Sequence, residues 1–60
     1  MATKVEVKSY MQGKTIELQF ADSVQEARKL AKETKRDWSR WAPEVLVTYQ
    51  NRQGREVYVW

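Results

Sequence analysis

The sequence predicts an α+β domain of ββαββ order: a four-stranded mixed sheet with one α-helix packed across one face. Three observations predict it. Both ends of the chain alternate apolar and polar residues, as half-buried strands do. Each alternating end is interrupted by a turn containing a glycine. Between them lies a stretch whose apolar residues recur at helical spacing.

The first element pair is "KVEVKSYMQGKTIELQF". Val5 and Val7 alternate with Glu6 and Lys8; Ile16, Leu18 and Phe20 alternate with Glu17 and Gln19. Gln12-Gly13 marks the turn, where glycine supplies a positive φ without steric cost. A two-residue loop pairs Met11 with Lys14, Ser9 with Ile16, Val7 with Leu18 and Val5 with Phe20. Directly opposed residues share a face, so this register gathers the apolar side chains and sets Lys8 against Glu17 on the other face.

The helix follows in "DSVQEARKLAKETKRDWSRWAP". Ser23 and Glu26 have the spacing of a capping box, in which side chains satisfy backbone N–H groups at a helix start. Val24, Ala27, Leu30, Ala31, Thr34, Trp38 and Trp41 fall on one stripe. Ala27 and Ala31 allow a close approach to the sheet, and Trp38 and Trp41 are expected to plug the far end of the core. Pro43 stops the helix, having no N–H and disfavouring helical geometry at Ala42.

The second hairpin closes through "NRQG". A type I turn with Gly54 left-handed makes a three-residue loop, Arg52 to Gly54, with a bulge. Asn51 then pairs with Arg55, Tyr49 with Val57 and Val47 with Val59. The other face holds Gln50/Glu56, Thr48/Tyr58 and Leu46/Trp60. One helix must cover one face of the sheet, since neither element buries its apolar side alone. The handedness of crossovers favours strand order 2-1-4-3, with the terminal strands parallel in the centre. Trp60 would then end a central strand.

The element order, the "GKT" at residues 13–15 after the first turn and the C-terminal hairpin resemble the immunoglobulin-binding domains of protein G and protein L. The likeness spans the chain in element order. It implies the β-grasp arrangement and, for protein G, antibody Fc binding through the helix and third strand. The residues of that binding surface have no counterparts here.

Sixty residues make one domain, residues 1–60, with room for one core. A chain this short buries only about 60% of its unfolded surface. It has no cysteine and no histidine, which removes disulfides, thiolate metal sites, the commonest metal ligand and the usual general base. No catalytic, metal or cofactor site is expected. "GKT" lacks the earlier glycine and the following helix of a phosphate-binding loop. Glu6, Glu17 and Glu56 are expected on an open sheet face, with no water-excluding cleft around them. No apolar run is long enough to span a membrane, and "MATKVEVK" is not a signal peptide, so a soluble protein without membrane partners is expected, cytoplasmic if natural.

Two surface features stand out. The open sheet face carries Tyr10, Leu46, Tyr58 and Trp60, an apolar patch suited to a protein partner or to self-association. Arg28, Lys32, Arg36 and Arg40 recur every four residues along the helix, a basic ridge able to take phosphates weakly and without sequence preference. A net charge of +3, from 11 basic and 8 acidic residues, permits an anionic partner without demanding one. Helix cap, helix stop, turns and alternations all agree on one fold, as in a designed or engineered scaffold whose task is to fold. A small natural, phage-like binding module is the alternative, and weak nucleic-acid binding a further one.

Overall fold

The first two strands are β1, Val5–Met11, and β2, Lys14–Ala21. The turn between them puts Gln12 and Gly13 both at positive φ, 54° and 78°. This is the backbone of a tight hairpin turn matched to strand twist. The computed structural model describes residues 4–59. Helix α1 runs over Val24–Trp41, and the second hairpin comprises β3, Leu46–Gln50, and β4, Glu56–Tyr58.

Helix α1 begins as its sequence requires. The Ser23 hydroxyl accepts a 3.1 Å hydrogen bond from the Glu26 N–H, satisfying one of the orphan donors of the first turn. It ends at Ala42, whose N–H donates to the Trp38 carbonyl at 2.7 Å. The Lys35 ammonium then binds the carbonyls of Pro43 and Val45, tying the helix to the chain entering β3.

The second hairpin keeps the predicted register. Thr48 faces Tyr58, Tyr49 faces Val57 and Gln50 faces Glu56. The Val59 N–H donates to the Val47 carbonyl at 2.9 Å, continuing the ladder. Gly54 has φ 78°, the left-handed position the loop demands. The Asn51 side chain braces that loop, accepting from the N–H groups of Gln53 and Arg55 at 2.9 and 3.0 Å.

The sheet is four-stranded and ordered β2-β1-β3-β4, with every neighbouring pair antiparallel. The expected mixed sheet of order 2-1-4-3 is therefore corrected, and with it the β-grasp arrangement implied by the resemblance. The crossover rule could not choose between the two orders, because both leave β2 and β3 parallel and joined through the helix. Burial chooses. A central strand is covered on both faces, and β3 carries Val47 and Thr48, each with no exposed surface. The short β4, with exposed Glu56 and Tyr58, takes the edge. Trp60, expected to end a central strand, lies outside the described residues; β4, the strand before it, is an edge strand.

The core is built from small side chains. Val7, Val45, Val47, Ala27 and Ala31 have no exposed surface, and Ala21, Ala42 and Val59 are nearly as deep. Val5, Met11, Leu30, Trp38 and Tyr49 pack around them. The helix lies over β3, β1 and β2 and does not reach β4. Trp41 is 85% exposed, so the expectation that it plugs the core is corrected. The strand surface beside it is polar, lined by Glu17 and Gln19.

Candidate functional site: the open face of the sheet

A single irregularity shapes this surface. The first hairpin starts in the predicted register, Met11 opposite Lys14 and Tyr10 opposite Thr15. The register then slips by one: Ser9 faces Glu17, Lys8 faces Leu18, Val7 faces Gln19, Glu6 faces Phe20 and Val5 faces Ala21. Ile16 is the extra residue of a β-bulge. Because side chains alternate along a strand, one inserted residue exchanges the faces of everything beyond it. The expected pairs Ser9/Ile16, Val7/Leu18, Val5/Phe20 and Lys8/Glu17 are all corrected by this slip.

The exchange has two consequences. On the helix side, β2 presents polar residues. The Gln19 side-chain amide donates to the Thr34 hydroxyl at 2.9 Å, and the Trp38 indole N–H donates to the Glu17 carboxylate at 3.3 Å. Glu17 is thus not on the open face with Glu6 and Glu56. On the open side, β2 presents Leu18 at 47% and Phe20 at 55% exposure, beside the bulge residue Ile16 at 41%. The largest aliphatic and phenyl side chains of the strand lie outside a core made of valine and alanine.

The predicted face residues join them. Tyr10 sits opposite Leu46 and Tyr58 opposite Thr48, on the same side as Lys8. Leu46 and Tyr58 are about half exposed, Tyr10 is half-buried, and the predicted Trp60 lies outside the described residues. The strip between the apolar flanks is polar, and part of it is internally paired. Tyr10 donates its hydroxyl to Glu56 at 2.5 Å, and the Lys8 ammonium lies 3.6 Å from the same carboxylate oxygen. Donation to Glu56, together with partial burial, holds the Tyr10 phenol above its ordinary pKa, because ionisation would break the bond and set two anions side by side.

Reading the sequence missed Ile16, Leu18 and Phe20 as surface residues. The alternation of β2 is equally regular in either phase. The signal that separates them is the hydrogen-bonding character of Glu17 and Gln19, which matches Thr34 and the Trp38 indole once the helix is in place.

The basic residues Arg28, Lys32, Arg36 and Arg40 are all exposed on α1. A spacing of four drifts around a helix by about 40° per step, so the row rotates by about 120° from end to end. Arg28 and Lys32 flank a groove of about 430 Å³ floored by Tyr49, Val57 and Val59, at the edge the helix leaves uncovered. Arg36 and Arg40 are not part of it. Among the described residues, no group of three or more acidic side chains gathers at metal-binding distance, and no helix is long and apolar enough to cross a membrane.

No protein family, curated protein or solved structure matches the chain.

Proposed function

We propose that the protein is a non-catalytic protein–protein interaction module whose open sheet face packs against a second copy of itself. One observation carries this reading: Leu18, Phe20, Leu46 and Tyr58 on the open face are each between 47 and 55% exposed on a domain whose buried apolar residues are only valine and alanine. Together they offer on the order of 500 Å² of accessible surface, divided into two apolar flanks by the polar strip of β1. With its polar strip the face approaches the roughly 800 Å² per partner of a standard interface.

Charge favours a second copy as the occupant. Glu6 and Lys8 stand two residues apart on β1, on the same side of the sheet. A two-fold axis crossing the strands above Val7 sets Glu6 of one protomer over Lys8 of the other. The same axis stacks the Leu18 and Phe20 row on its own counterpart, giving the self-complementarity that a symmetric dimer needs.

Sedimentation equilibrium over a dilution series tests this. A dimer that dissociates on dilution is expected, and Leu18→Lys combined with Tyr58→Lys should leave a folded monomer. A wild-type chain that stays monomeric at millimolar concentration sinks the reading.

Agreement of cap, turns and helix stop supports the designed-scaffold reading, but idealised scaffolds avoid an exposed apolar patch of this kind. Weak nucleic-acid binding draws support from the exposure of Arg28, Lys32, Arg36 and Arg40, none of which is ion-paired among the described residues. Oligonucleotide affinity that survives Arg28→Glu with Arg36→Glu would remove that reading; affinity that falls steeply with salt would favour it.

A further inference from the structure

The cleft between β2 and the last turns of α1 has a chemistry distinct from the open face. It has a volume of about 310 Å³ and is lined by Glu17, Gln19, Thr34, Asp37, Trp38 and Trp41. This is the small end of ligand-site volumes, suited to a headgroup more than to a large molecule. Two indoles three residues apart stand on the helix wall, one half-buried against the core and the other 85% exposed. The carboxylates of Glu17 and Asp37 come from opposite walls. In a chain with 11 basic residues, neither has a cationic partner within ion-pair distance among the described residues. The cleft also lies at the C-terminal end of α1, whose dipole favours positive charge.

We infer that this cleft binds an organic cation, with a methylated ammonium group as the chemical class it fits best. Aromatic faces attract cations through the ring quadrupole, and a methylated ammonium adds apolar surface that indoles cover well. At Glu17, though not at Asp37, the hydrogen bonds favour this class over guanidinium. One carboxylate oxygen of Glu17 already accepts from the Trp38 indole and from the Gln19 amide, each at 3.3 Å. A guanidinium fork seeks both oxygens of a carboxylate, whereas a quaternary ammonium donates no hydrogen bond and needs only the charge and the rings. Trp41 gains a role from this: it forms the outer wall, left in solvent because its partner is not part of the chain.

The site is independent of the open sheet face, so its test does not depend on dimerisation. Choline and tetramethylammonium chloride would be titrated against the wild-type protein at constant ionic strength, following the indole N–H resonances of Trp38 and Trp41. The expected result is a saturable shift of both. It should be absent with 3,3-dimethylbutan-1-ol, the uncharged carbon analogue of choline, and smaller with guanidinium chloride. Trp41→Ala should weaken binding by roughly two- to fivefold, the worth of one exposed cation–π contact. The fold should persist in that variant, since Trp41 is 85% exposed. Glu17→Gln keeps an acceptor for the Trp38 indole and should weaken binding similarly. No saturable shift, an equal response to the uncharged analogue, or unchanged affinity in both variants would overturn the inference.

Discussion

The two hairpins of this domain teach different lessons about register. The β3–β4 hairpin has one apolar row, and its loop carries two independent determinants: Gly54 at φ 78° and the doubly accepting Asn51 side chain. Its pairing follows from those residues. The β1–β2 hairpin has an equally well-formed turn, yet four residues from that turn its register has slipped by one. A turn fixes only the pairs beside it. Farther along, tertiary contacts decide, and here the helix supplies hydrogen-bonding partners to Gln19 and Glu17 in place of an apolar cover.

The contrast is broken most forcefully by equivalent truncations in the two hairpins. Val47→Ala, in the fully buried ladder of β3, should cost about 2 kcal/mol by loss of burial and the cavity left behind. Leu18→Ala removes more carbon but should cost under about 1 kcal/mol in the monomer, because Leu18 is already 47% exposed. Urea denaturation at a concentration where the protein is monomeric checks both. A Leu18→Ala cost as large as that of Val47→Ala would mean the slip is absent.

Gly54→Ala probes the determinant of the second hairpin. Among the described residues nothing lies within 4 Å of an added Cβ, so its cost comes from the left-handed backbone, about 1 kcal/mol in thermal unfolding. Ser9 offers a change of similar size and opposite sign in the first hairpin. Its hydroxyl is fully buried beside the slip and has no hydrogen-bond partner among the described residues. Ser9→Ala should therefore stabilise by about 1 kcal/mol, and a loss of stability would show that the hydroxyl is satisfied. Deleting Ile16 is the sharpest test of the bulge. The pairs Tyr10/Thr15 and Ser9/Glu17 become consecutive, so the fold should survive with close to wild-type stability. In an unslipped hairpin the same deletion would turn the strand inside out and unfold the domain.

The smallest effect is a titration. The Tyr10 phenol sits above its ordinary pKa, chiefly through its hydrogen bond to Glu56 and then through burial. A raised pKa in the folded state means the folded chain holds this proton more tightly than the unfolded chain. The associated stability is present below the unfolded pKa and fades as pH rises through the folded one. Tyrosinate absorbance should show Tyr10 titrating late, and Glu56→Ala should return it toward its ordinary value.

These tests also mark how far the fold was legible in the residues. The cap at Ser23, the stop at Pro43, the loop at Gly54 and the pairs of β3 with β4 each rest on short-range chemistry, and each was readable. The face of β2 was not, because Ile16, Leu18 and Phe20 alternate as cleanly with Glu17 and Gln19 in either phase. Only the placement of Thr34 and Trp38 separates them. Strand order was lost for a related reason. Both arrangements satisfy the crossover rule, and the choice depends on which strand of the second hairpin is buried on both faces. Of the open face, Tyr10, Leu46 and Tyr58 were readable because their neighbours are locally paired. Its β2 half was hidden by the slip, and the cation cleft with it.

The strand order also bears on how the chain folds. Among the described residues, β1 with β3 is the one strand pairing that joins distant segments, running from Tyr10 opposite Leu46 to Val7 opposite Tyr49. The other ladders and the helix close over short stretches, where loop entropy is small. The slow event is then the meeting of two preformed hairpins along that central seam, with the helix spanning the gap. Substitutions at Val7 or Val47 should slow folding, whereas those at the outer strands should mainly speed unfolding.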